Sequence, residues 1–513
     1  MKSIAIDPAR LYPGNQLFLD YVAHRSQLLD LFQVRPSDWR EAARRRSAQE
    51  IHRADLADVL IAYNRSIHAP PVALQAIERL RGPGALCVIS GQQAGLLGGP
   101  SYTAYKILTT IRLARHLSGE LGVPVIPIFW LASEDHDLTE INHVRWLSTD
   151  GSFQAVAFDD KAPQRAIESL SITNEIRRVA SEAEDALSLP ADIRDLLQPA
   201  ESDDYGRWHA RIWSRLFADD GLIVVEPRIL RPLSGPFFER ALVQQDRIRA
   251  GLETSSARLV ALGYEPSLDP KIAGLPFRIH AAGTRTRLDT FAYDPSVAYS
   301  ADAALRPVLA DTLCPTIASV LGPGEIAYHA QLRPVYEALD VSQPVYVARH
   351  GYTVISTEDA DLLDRLDVPL EAAFDPTFDP QPKIDAQVPE EISSAFDRAR
   401  DDVRTALTPL KPLAQDADPG LEARWRQLAD RADNEVTQLE GRVVRAQLAR
   451  AGLSVRRLRA ILESLRPAGQ PQERALSFVH LLARFGVEWI HQLPGADHPD
   501  RFSHDVVILH ERT

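Results

Sequence analysis

The sequence predicts an α/β protein, in which helices cover both faces of a parallel β-sheet, followed by a helical coiled-coil region. Short, continuously apolar segments alternate with a helical pattern, as is typical of a parallel sheet buried on both faces. Beyond residue 385, apolar residues recur at heptad-like spacing among charged ones. The chain of 513 residues is long enough for about three domain-sized units.

The predicted sheet is built from apolar segments at residues 85–91, 123–137, 220–227 and 343–349. The first two flank a predicted helix over residues 101–117, so their crossover should be right-handed. The charged residues Lys106, Arg112 and Arg115 are expected on the solvent side of that helix.

Changes in composition divide the chain into four regions. These are a helical segment at 1–80, a core at 81–385, an antiparallel helical coiled coil at 386–470, and a C-terminal helix and strand at 471–513 that return to the core. Within the core, the stretches at about 145–175 and 271–300 are interpreted as insertions, because they are rich in turns and short β-formers.

The coiled-coil region contains an apolar seam with one stutter. Its members are spaced 4, 3, 4, 4, 3, 4 and 3 residues apart: Leu421, Trp425, Leu428, Ala432, Val436, Leu439, Val443 and Ala446. Two helices joined by a Pro-rich turn can pack on a core of their own or form a projecting arm. The wide polar faces favour the arm, which would make the protein a homodimer.

Composition also limits the class of partner. The net charge of −13 disfavours a general nucleic-acid surface, although a local basic pocket for an anionic ligand remains open. No apolar run approaches the roughly 20 residues of a membrane helix, and the N-terminus lacks the pattern of a signal peptide. We therefore expect a cytoplasmic protein. Cys87 and Cys314 give neither a metal-ligand spacing nor a disulfide framework.

A glycine-rich turn follows the first predicted strand, in "CVISGQQAGLLGGPSYTAYK" (87–106). Such a turn before a helix lets an anion or nucleotide approach the main-chain N–H groups, and the two glutamines suit a polar ligand. The candidate binding residues here are Ser90, Gly91, Gln92, Gln93, Gly98, Gly99 and Tyr102. The alternative is that the glycines serve only close packing. Neither GxxxxGK[ST] nor GxGxxG is present.

The second predicted strand ends in four consecutive polar residues. Asp135, His136 and Asp137 are the catalytic candidates, because a histidine beside carboxylates can act as a general base. Glu134 is a binding candidate. The alternative is that Asp135 or Asp137 caps a following helix. We predict no metal, since His136 and His143 are seven residues apart and HExxH is absent.

The third segment with candidate binding residues is "LGPGEIAYHAQLRPVYEAL" (321–339). Its Gly-Pro-Gly sequence predicts a tight turn directly before a helix. Its candidate binding residues are Gly322, Gly324, Glu325, Tyr328 and Gln331, and Arg349 joins them at the end of the last predicted core strand. A plain explanation for Glu325 is stabilisation by the helix dipole.

These segments together resemble the bacillithiol biosynthesis cysteine-adding enzyme family. The resemblance rests on "ISGQQAGLLGGP", "YKILTTI", "FWLASEDHD", "EINHV" and "GPGEIAYHAQLRPVYE", in order over residues 10 to 510. It implies a Rossmann-like core with connecting-peptide insertions and a coiled-coil domain that promotes dimers. It also implies the last step of bacillithiol synthesis, in which a ligase joins cysteine to glucosaminyl-malate.

The family architecture is similar to that of class I aminoacyl-tRNA synthetases and nucleotidyltransferases, which implies carboxyl activation by adenylation. The HIGH and KMSKS signatures are absent, so the cofactor is open, with ATP or another nucleotide as candidates. We expect the sugar amine to attack an activated cysteine carboxyl. The main-chain N–H groups of residues 91–99 would hold an anionic group, and Arg349 would pair with a carboxylate of malate. The alternatives are a dinucleotide-dependent oxidoreductase and a non-catalytic dimeric scaffold.

Overall fold

The computed structural model describes residues 3–159, 165–288, 292–495, 498 and 500–512. The chain divides into two compact units. The first comprises the chain up to Leu147, Phe153–Ser356 and the chain from Gln470 onward, and the second comprises Ser148–Ser152 and Thr357–Gly469. The main segment of the second unit therefore begins at Thr357, whereas the sequence analysis places the beginning of the coiled coil at residue 386.

The described residues contain strands that form one five-stranded sheet and three smaller ones. They are β1 (Ser3–Ala5), β2 (Leu86–Gln92), β3 (Val125–Leu131), β4 (His143–Leu147), β5 (Phe153–Ala157), β6 (Ile223–Val225), β7 (Phe277–Ile279), β8 (Arg285–Arg287), β9 (Ala298–Ser300), β10 (Thr316–Leu321), β11 (Val345–Ala348), β12 (Gly351–Ser356) and β13 (His504–Leu509).

The α-helices follow the same chain order. Before residue 357 they are α1 (Pro8–Leu11), α2 (Gln16–Val22), α3 (Ser26–Leu29), α4 (Trp39–Ser47), α5 (Arg53–Ser66), α6 (Pro71–Leu80), α7 (Tyr102–Leu121), α8 (Asn174–Ala186), α9 (Ala191–Leu197), α10 (Tyr205–Leu216), α11 (Arg231–Val243), α12 (Gln245–Ala261), α13 (Leu305–Leu313), α14 (Pro323–His329) and α15 (Arg333–Ala338). The second unit contributes α16 (Thr357–Arg365), α17 (Gln381–Asp385), α18 (Glu390–Leu407), α19 (Leu410–Ala417), α20 (Leu421–Arg450) and α21 (Val455–Leu465). The chain then returns to the first unit with α22 (Gln472–Ala475), α23 (Phe478–Phe485) and α24 (Trp489–Gln492).

The central sheet is parallel, in the order β11-β10-β2-β3-β6, and it confirms the predicted α/β core. Alternate residues of β2 pack on opposite faces, with Val88 among residues of α4 and α7 and Cys87 among residues of α5 and α6. Both faces are therefore covered, which explains why the strands are continuously apolar. Strand β10 was not among the predicted strands, although it lies between β11 and β2.

The smaller sheets lie in the first unit. The C-terminal strand β13 does return to this unit, but it pairs with β12 and β1 rather than joining the central sheet. The predicted insertions contain the antiparallel pair β4-β5 and the three-stranded sheet β8-β7-β9. Residues 160–164 and 289–291, which belong to these predicted insertions, lie outside the described residues.

The second unit contains the predicted pair of long helices. An ion pair joins Arg400 of α18 to Glu440 of α20, and Trp425 Nε1 donates to the Leu407 carbonyl 2.8 Å away. The helices therefore run antiparallel. Of the predicted seam, Trp425 is half-buried, whereas Leu428 and Leu439 are 49% and 55% exposed.

Candidate active site

The ends of four parallel strands meet around one cavity of about 380 Å³. Ser90 to Gln93 line it from β2, Ala132 and Asp135 follow β3, Gly322 to Glu325 follow β10, and Arg349 follows β11. Helices α7, α13 and α14 also contribute wall residues. The carboxyl edge of an open parallel sheet is where α/β proteins bind ligands, so this cavity is the candidate site.

Most of the glycine-rich turn packs on itself instead of facing the cavity. A Cβ on Gly95 would lie 2.5 Å from the Gly99 Cα, and Gly98 and Gly99 have φ values of +97° and +64°. Their amides donate to carbonyls of the same turn, Gly98 to Gly95 and Gly99 to Leu96. The N–H groups of Gly98 and Gly99 are thus occupied, in contrast to the predicted anion-binding role, and these glycines serve close packing.

The residues of the turn that do line the cavity are those at the end of β2. A Cβ on Gly91 would lie 3.3 Å from the Trp130 carbonyl oxygen, so a glycine here permits the close approach of β3 beside the cavity. The Gln92 side chain donates to the Tyr102 hydroxyl 3.1 Å away, and both residues are on the wall. Burial raises the pKa of Tyr102 to about 12, so its hydroxyl keeps its proton at neutral pH.

Lys106 lies at the centre of the α7 side of the cavity. The helical pattern placed it in solvent, but the side chain is 2% exposed, because its ammonium turns inward to the ends of β2 and β10. Nζ lies 2.5 Å from Glu325 Oε2 and donates to the Gly91 carbonyl and to Gln92 Oε1. Burial lowers the pKa of Lys106, whereas Glu325 opposes that shift. Three acceptors match the three donors of an ammonium, so we assign the charged form.

Glu325 is held by the turn that follows β10. Its Oε2 accepts from the Gly322 amide at 2.6 Å as well as from Lys106. A Cβ on Gly322 would lie 3.2 Å from that oxygen, so the absence of a side chain permits the contact. Tyr328, one turn further along α14, also lines the cavity.

Asp135 is the member of the predicted catalytic segment that lines the cavity. Its carboxylate accepts two hydrogen bonds from Arg306, at 2.6 and 3.0 Å, one from Arg285 at 2.9 Å and one from Gln93 at 3.2 Å. Burial alone would raise its pKa, but Arg306 and Arg285 lower the pKa of Asp135 to about 2. This carboxylate is therefore ionised and fully engaged at neutral pH.

The neighbours of Asp135 are not among the residues that line the cavity. His136 lies against Phe277, with Nδ1 3.3 Å from an Arg285 nitrogen, and burial together with Arg285 lowers its pKa. Asp137 is exposed and caps the short 3₁₀ helix Leu138–Glu140 by accepting from the Thr139 amide. The capping alternative of the sequence analysis therefore applies to Asp137.

Glu134 is buried behind the wall. It shares the Arg231 guanidinium with Glu168, at 2.8 and 2.6 Å respectively. Burial raises the pKa of Glu134 to about 7, against the opposing effect of Arg231. This buried group lies outside the set of residues that line the cavity.

The Arg349 guanidinium lines the cavity but already has a carboxylate partner. Two of its nitrogens donate to Glu473 at 2.6 and 2.7 Å, and the Tyr12 hydroxyl donates to the same carboxylate at 2.6 Å. Gln331, by contrast, is fully buried and bonds the loop at Ser267 and Leu268, away from the cavity wall.

The structure thus brings most of the predicted site residues to one cavity and leaves some outside it. On the wall are Ser90, Gly91, Gln92, Gln93, Tyr102, Asp135, Gly322, Gly324, Glu325, Tyr328 and Arg349. Not on it are Gly98, Gly99, Glu134, His136, Asp137 and Gln331. The sequence analysis missed Lys106, Glu140, Arg306 and Arg474 as wall residues. The spacing of Lys106, four residues after Tyr102 on one helix, is the signal that places both on the same face.

The cavity combines hydroxyl, amide, carboxylate and cationic groups over an apolar floor. Such a set can bind a polar organic substrate and move a proton. In the described part of the chain, no three His, Cys, Asp or Glu side chains are grouped as a metal site would require. Within the same residues, no helix is both long and apolar enough to cross a membrane.

The fold and cavity define a Rossmann-like α/β protein with a ligand site at its sheet edge and an added coiled-coil domain. Comparison with known families agrees with this class. Residues 1–297 and 284–350 match the family described as bacillithiol biosynthesis BshC, N-terminal Rossmann-like domain. Residues 352–509 match its C-terminal coiled-coil domain. The chain belongs to the BshC family of bacillithiol biosynthesis.

Curated relatives support the assignment along nearly the whole chain. A protein of Geobacillus thermodenitrificans is 31% identical over 91% of this chain and 93% of its own length. A Geobacillus kaustophilus protein is 31% identical over 89% of this chain and 90% of its own length. A Bacillus cereus protein is 28% identical over 90% of each. Each of the three carries the name "Putative cysteine ligase BshC".

Proposed function

We propose that this chain is a ligase that joins cysteine to glucosaminyl-malate through an amide bond, the last step of bacillithiol synthesis. The observation that carries the proposal is the convergence of Gln93, Asp135 and Glu325 on one cavity at the sheet edge. The names of the relatives support cysteine as one substrate.

The proposed reaction needs the sugar amine to attack an activated cysteine carboxyl. The Lys106–Glu325 pair holds Gln92 and the turn after β10 in fixed positions, which favours a defined substrate pose. Gln92 and Tyr102 offer hydrogen-bonding groups for sugar hydroxyls. Since Glu473 neutralises Arg349, the exposed Arg474 at the cavity mouth is the better partner for a malate carboxylate.

A base must accept a proton from the attacking amine. Asp135 touches the cavity, but its four donors and low pKa make it a weak base, so we assign it to positioning Arg306 and Gln93. Glu140 also lines the cavity, and burial, reinforced by Asp137 and Asp135, raises the pKa of its carboxyl. Glu140 lines the cavity and its pKa is shifted upward, the direction that makes a carboxylate a better proton acceptor than Asp135, so Glu140 is our candidate.

The proposal also covers assembly and location. We propose a homodimer through α19 and α20, because five leucines on these helices are 41–66% exposed: Leu410, Leu413, Leu421, Leu428 and Leu439. An exposed apolar row on a coiled-coil helix favours a partner helix. Small-molecule substrates of this kind belong to a cytoplasmic enzyme.

The direct test is product formation. The purified full-length chain is incubated with L-cysteine and glucosaminyl-malate, with ATP or another nucleoside triphosphate, and the amide product is detected by mass spectrometry. We expect product from the wild type and at least about 100-fold less from Lys106→Met. Absence of product with every nucleotide would refute the proposed activity. Undiminished product from the variant would refute the assignment of this cavity as the active site.

A further inference from the structure

One side of the cavity differs from the rest in chemistry. Where α13 faces the central sheet, the wall includes Ile89, Trp130, Ala132 and Ala310, which also belong to one apolar core cluster. The buried Asp311 of α13 lines the cavity beside Ala310, and its carboxylate accepts from the Tyr336 hydroxyl. The opposite side, around Tyr102 and Lys106, is polar. We call the first side the α13 pocket, defined by Ile89, Trp130, Ala132, Arg306 and Ala310.

The Arg306 guanidinium supplies a positive charge at the edge of the α13 pocket. Arg306, at the start of α13, lines the cavity with its side chain 28% exposed. Its bidentate partner Asp135 is shared with the buried Arg285, so two guanidiniums bind one carboxylate. Glu134, the residue before Asp135, shares the Arg231 guanidinium with Glu168. Arg306 therefore presents a guanidinium on which an added carboxylate would be favoured.

Four polar atoms of cavity-lining residues lack partners among the described residues: Ser90 Oγ, Gln93 Oε1, Trp130 Nε1 and Arg349 Nε. Trp130 belongs to the α13 pocket, and Gln93 bonds Asp135, the partner of Arg306. Trp130 Nε1 can only donate, and Gln93 Oε1 can only accept. The orientation of the Gln93 amide is fixed, because its Nε2 donates to Asp135. Unpaired buried polar atoms are costly, so a ligand that brings both an acceptor and a donor is favoured here. An α-amino acid carries both, as carboxylate and ammonium.

We infer that the α13 pocket binds the cysteine, with its carboxylate on Arg306 and its short thiol side chain against Ala132 and Ala310. The inference rests on the proposed function and adds the position of one substrate within the site. Glucosaminyl-malate then occupies the polar side with Tyr102 and Arg474. Small residues at 132 and 310 leave room for a small side chain and set the specificity.

The first test measures binding of cysteine alone, by titration calorimetry on the full-length chain. Cysteamine, which lacks the carboxylate, serves as the second probe. We expect the wild type to bind L-cysteine at least about tenfold more tightly than cysteamine, and Arg306→Gln to remove most of this difference. The control Arg247→Gln changes an exposed arginine of α12. Equal binding of both probes by the wild type would overturn the inference.

The second test fills the pocket. Ala310→Leu should raise the KM for cysteine about tenfold or more and leave the KM for glucosaminyl-malate within about twofold. The matched control is Ala250→Leu, at an exposed position of α12. An increase confined to glucosaminyl-malate would overturn the inference. If no amide product forms but cysteine still binds through Arg306, the proposed function fails while the pocket assignment stands.

Discussion

Lys106 and Glu325 form an ion pair of 2.5 Å that joins the two halves of the candidate site. Lys106 belongs to α7, which follows β2, and Glu325 belongs to α14, which follows β10. The pair therefore closes the gap between neighbouring strands at the point where the cavity opens.

Replacing the Lys106 ammonium by an apolar group should destabilise the fold and abolish the proposed ligase activity. In Lys106→Met, Glu325 and Gln92 lose their shared donor, and we expect the free energy of unfolding to fall by about 3 kcal/mol. Urea unfolding measures this change. The double variant Lys106→Met/Glu325→Gln should recover part of the stability but not the activity. A single variant as stable as the wild type would contradict the importance of the pair.

The Tyr102 hydroxyl should contribute to substrate binding and not to folding. Tyr102→Phe removes a group that accepts from Gln92 on the cavity wall. We expect the KM for glucosaminyl-malate to rise about fivefold to tenfold, with an unchanged melting temperature. The control is Tyr105→Phe, since the buried Tyr105 hydroxyl has no partner among the described residues and lies off the wall. Equal effects of the two variants would argue against a role in binding.

The identity of the base can be tested with four single variants. We expect Glu140→Gln to lower kcat about 10²- to 10⁴-fold with little change in KM. Asp135→Asn should raise the KM for cysteine, because Arg306 loses the carboxylate that orients it. His136→Ala and Asp137→Asn should keep most of the activity, since neither side chain lines the cavity. Loss of product in His136→Ala, with the fold intact by circular dichroism, would return the base role to His136.

The coiled-coil helices should hold two copies together. Leu428→Glu/Leu439→Glu places charges in the exposed apolar row of α20, and we expect a monomer by sedimentation velocity. Gln427→Glu/Gln438→Glu adds the same charges at exposed positions of the same helix and should leave the dimer intact. A wild-type chain that sediments as a monomer would remove the dimer from the proposal.

The buried Glu134 should give the stability a distinct pH dependence. Its pKa is about 7 in the folded chain against an ordinary value of 4.5, so between these values the folded state binds more protons than the unfolded state. Stability therefore falls as pH rises through this window and levels off above it. In Glu134→Gln the fall should be smaller, as measured by urea midpoints at pH 5 and pH 8. Parallel pH profiles would contradict the assignment.

The regular core could be predicted because its strands carry their own signal. The runs in β2 and β3 are apolar on both faces, and their turns and helices follow in order. Strand β10 lacks such a run, since Ala318 and Ser319 interrupt it, and Ser319 faces the cavity. The small, polar Ser319 leaves space for the cavity and also weakens the apolar pattern by which a strand is predicted.

Site residues that closely follow a strand of the central sheet could be predicted from the sequence, whereas Lys106 and Arg306, which lie on helices, could not. Gln93, Asp135 and Glu325 follow strands, and parallel strands end at one edge. Lys106 was assigned to solvent because helical periodicity shows which residues share a face but not what that face meets. Arg306 comes from α13, and its partner Asp135 is distant in sequence, so no local pattern connects them.

The order of strands in the central sheet has a consequence for how the cavity forms. The chain completes β2, β3 and β6 before it returns, after a long excursion, to lay β10 beside β2. Until that late pairing occurs, a nascent or partly unfolded chain has half a binding site and gains nothing from substrate. A bound substrate would contact residues that follow both β2 and β10. By mass action it would therefore protect the pairing of these two strands against local opening and proteolysis.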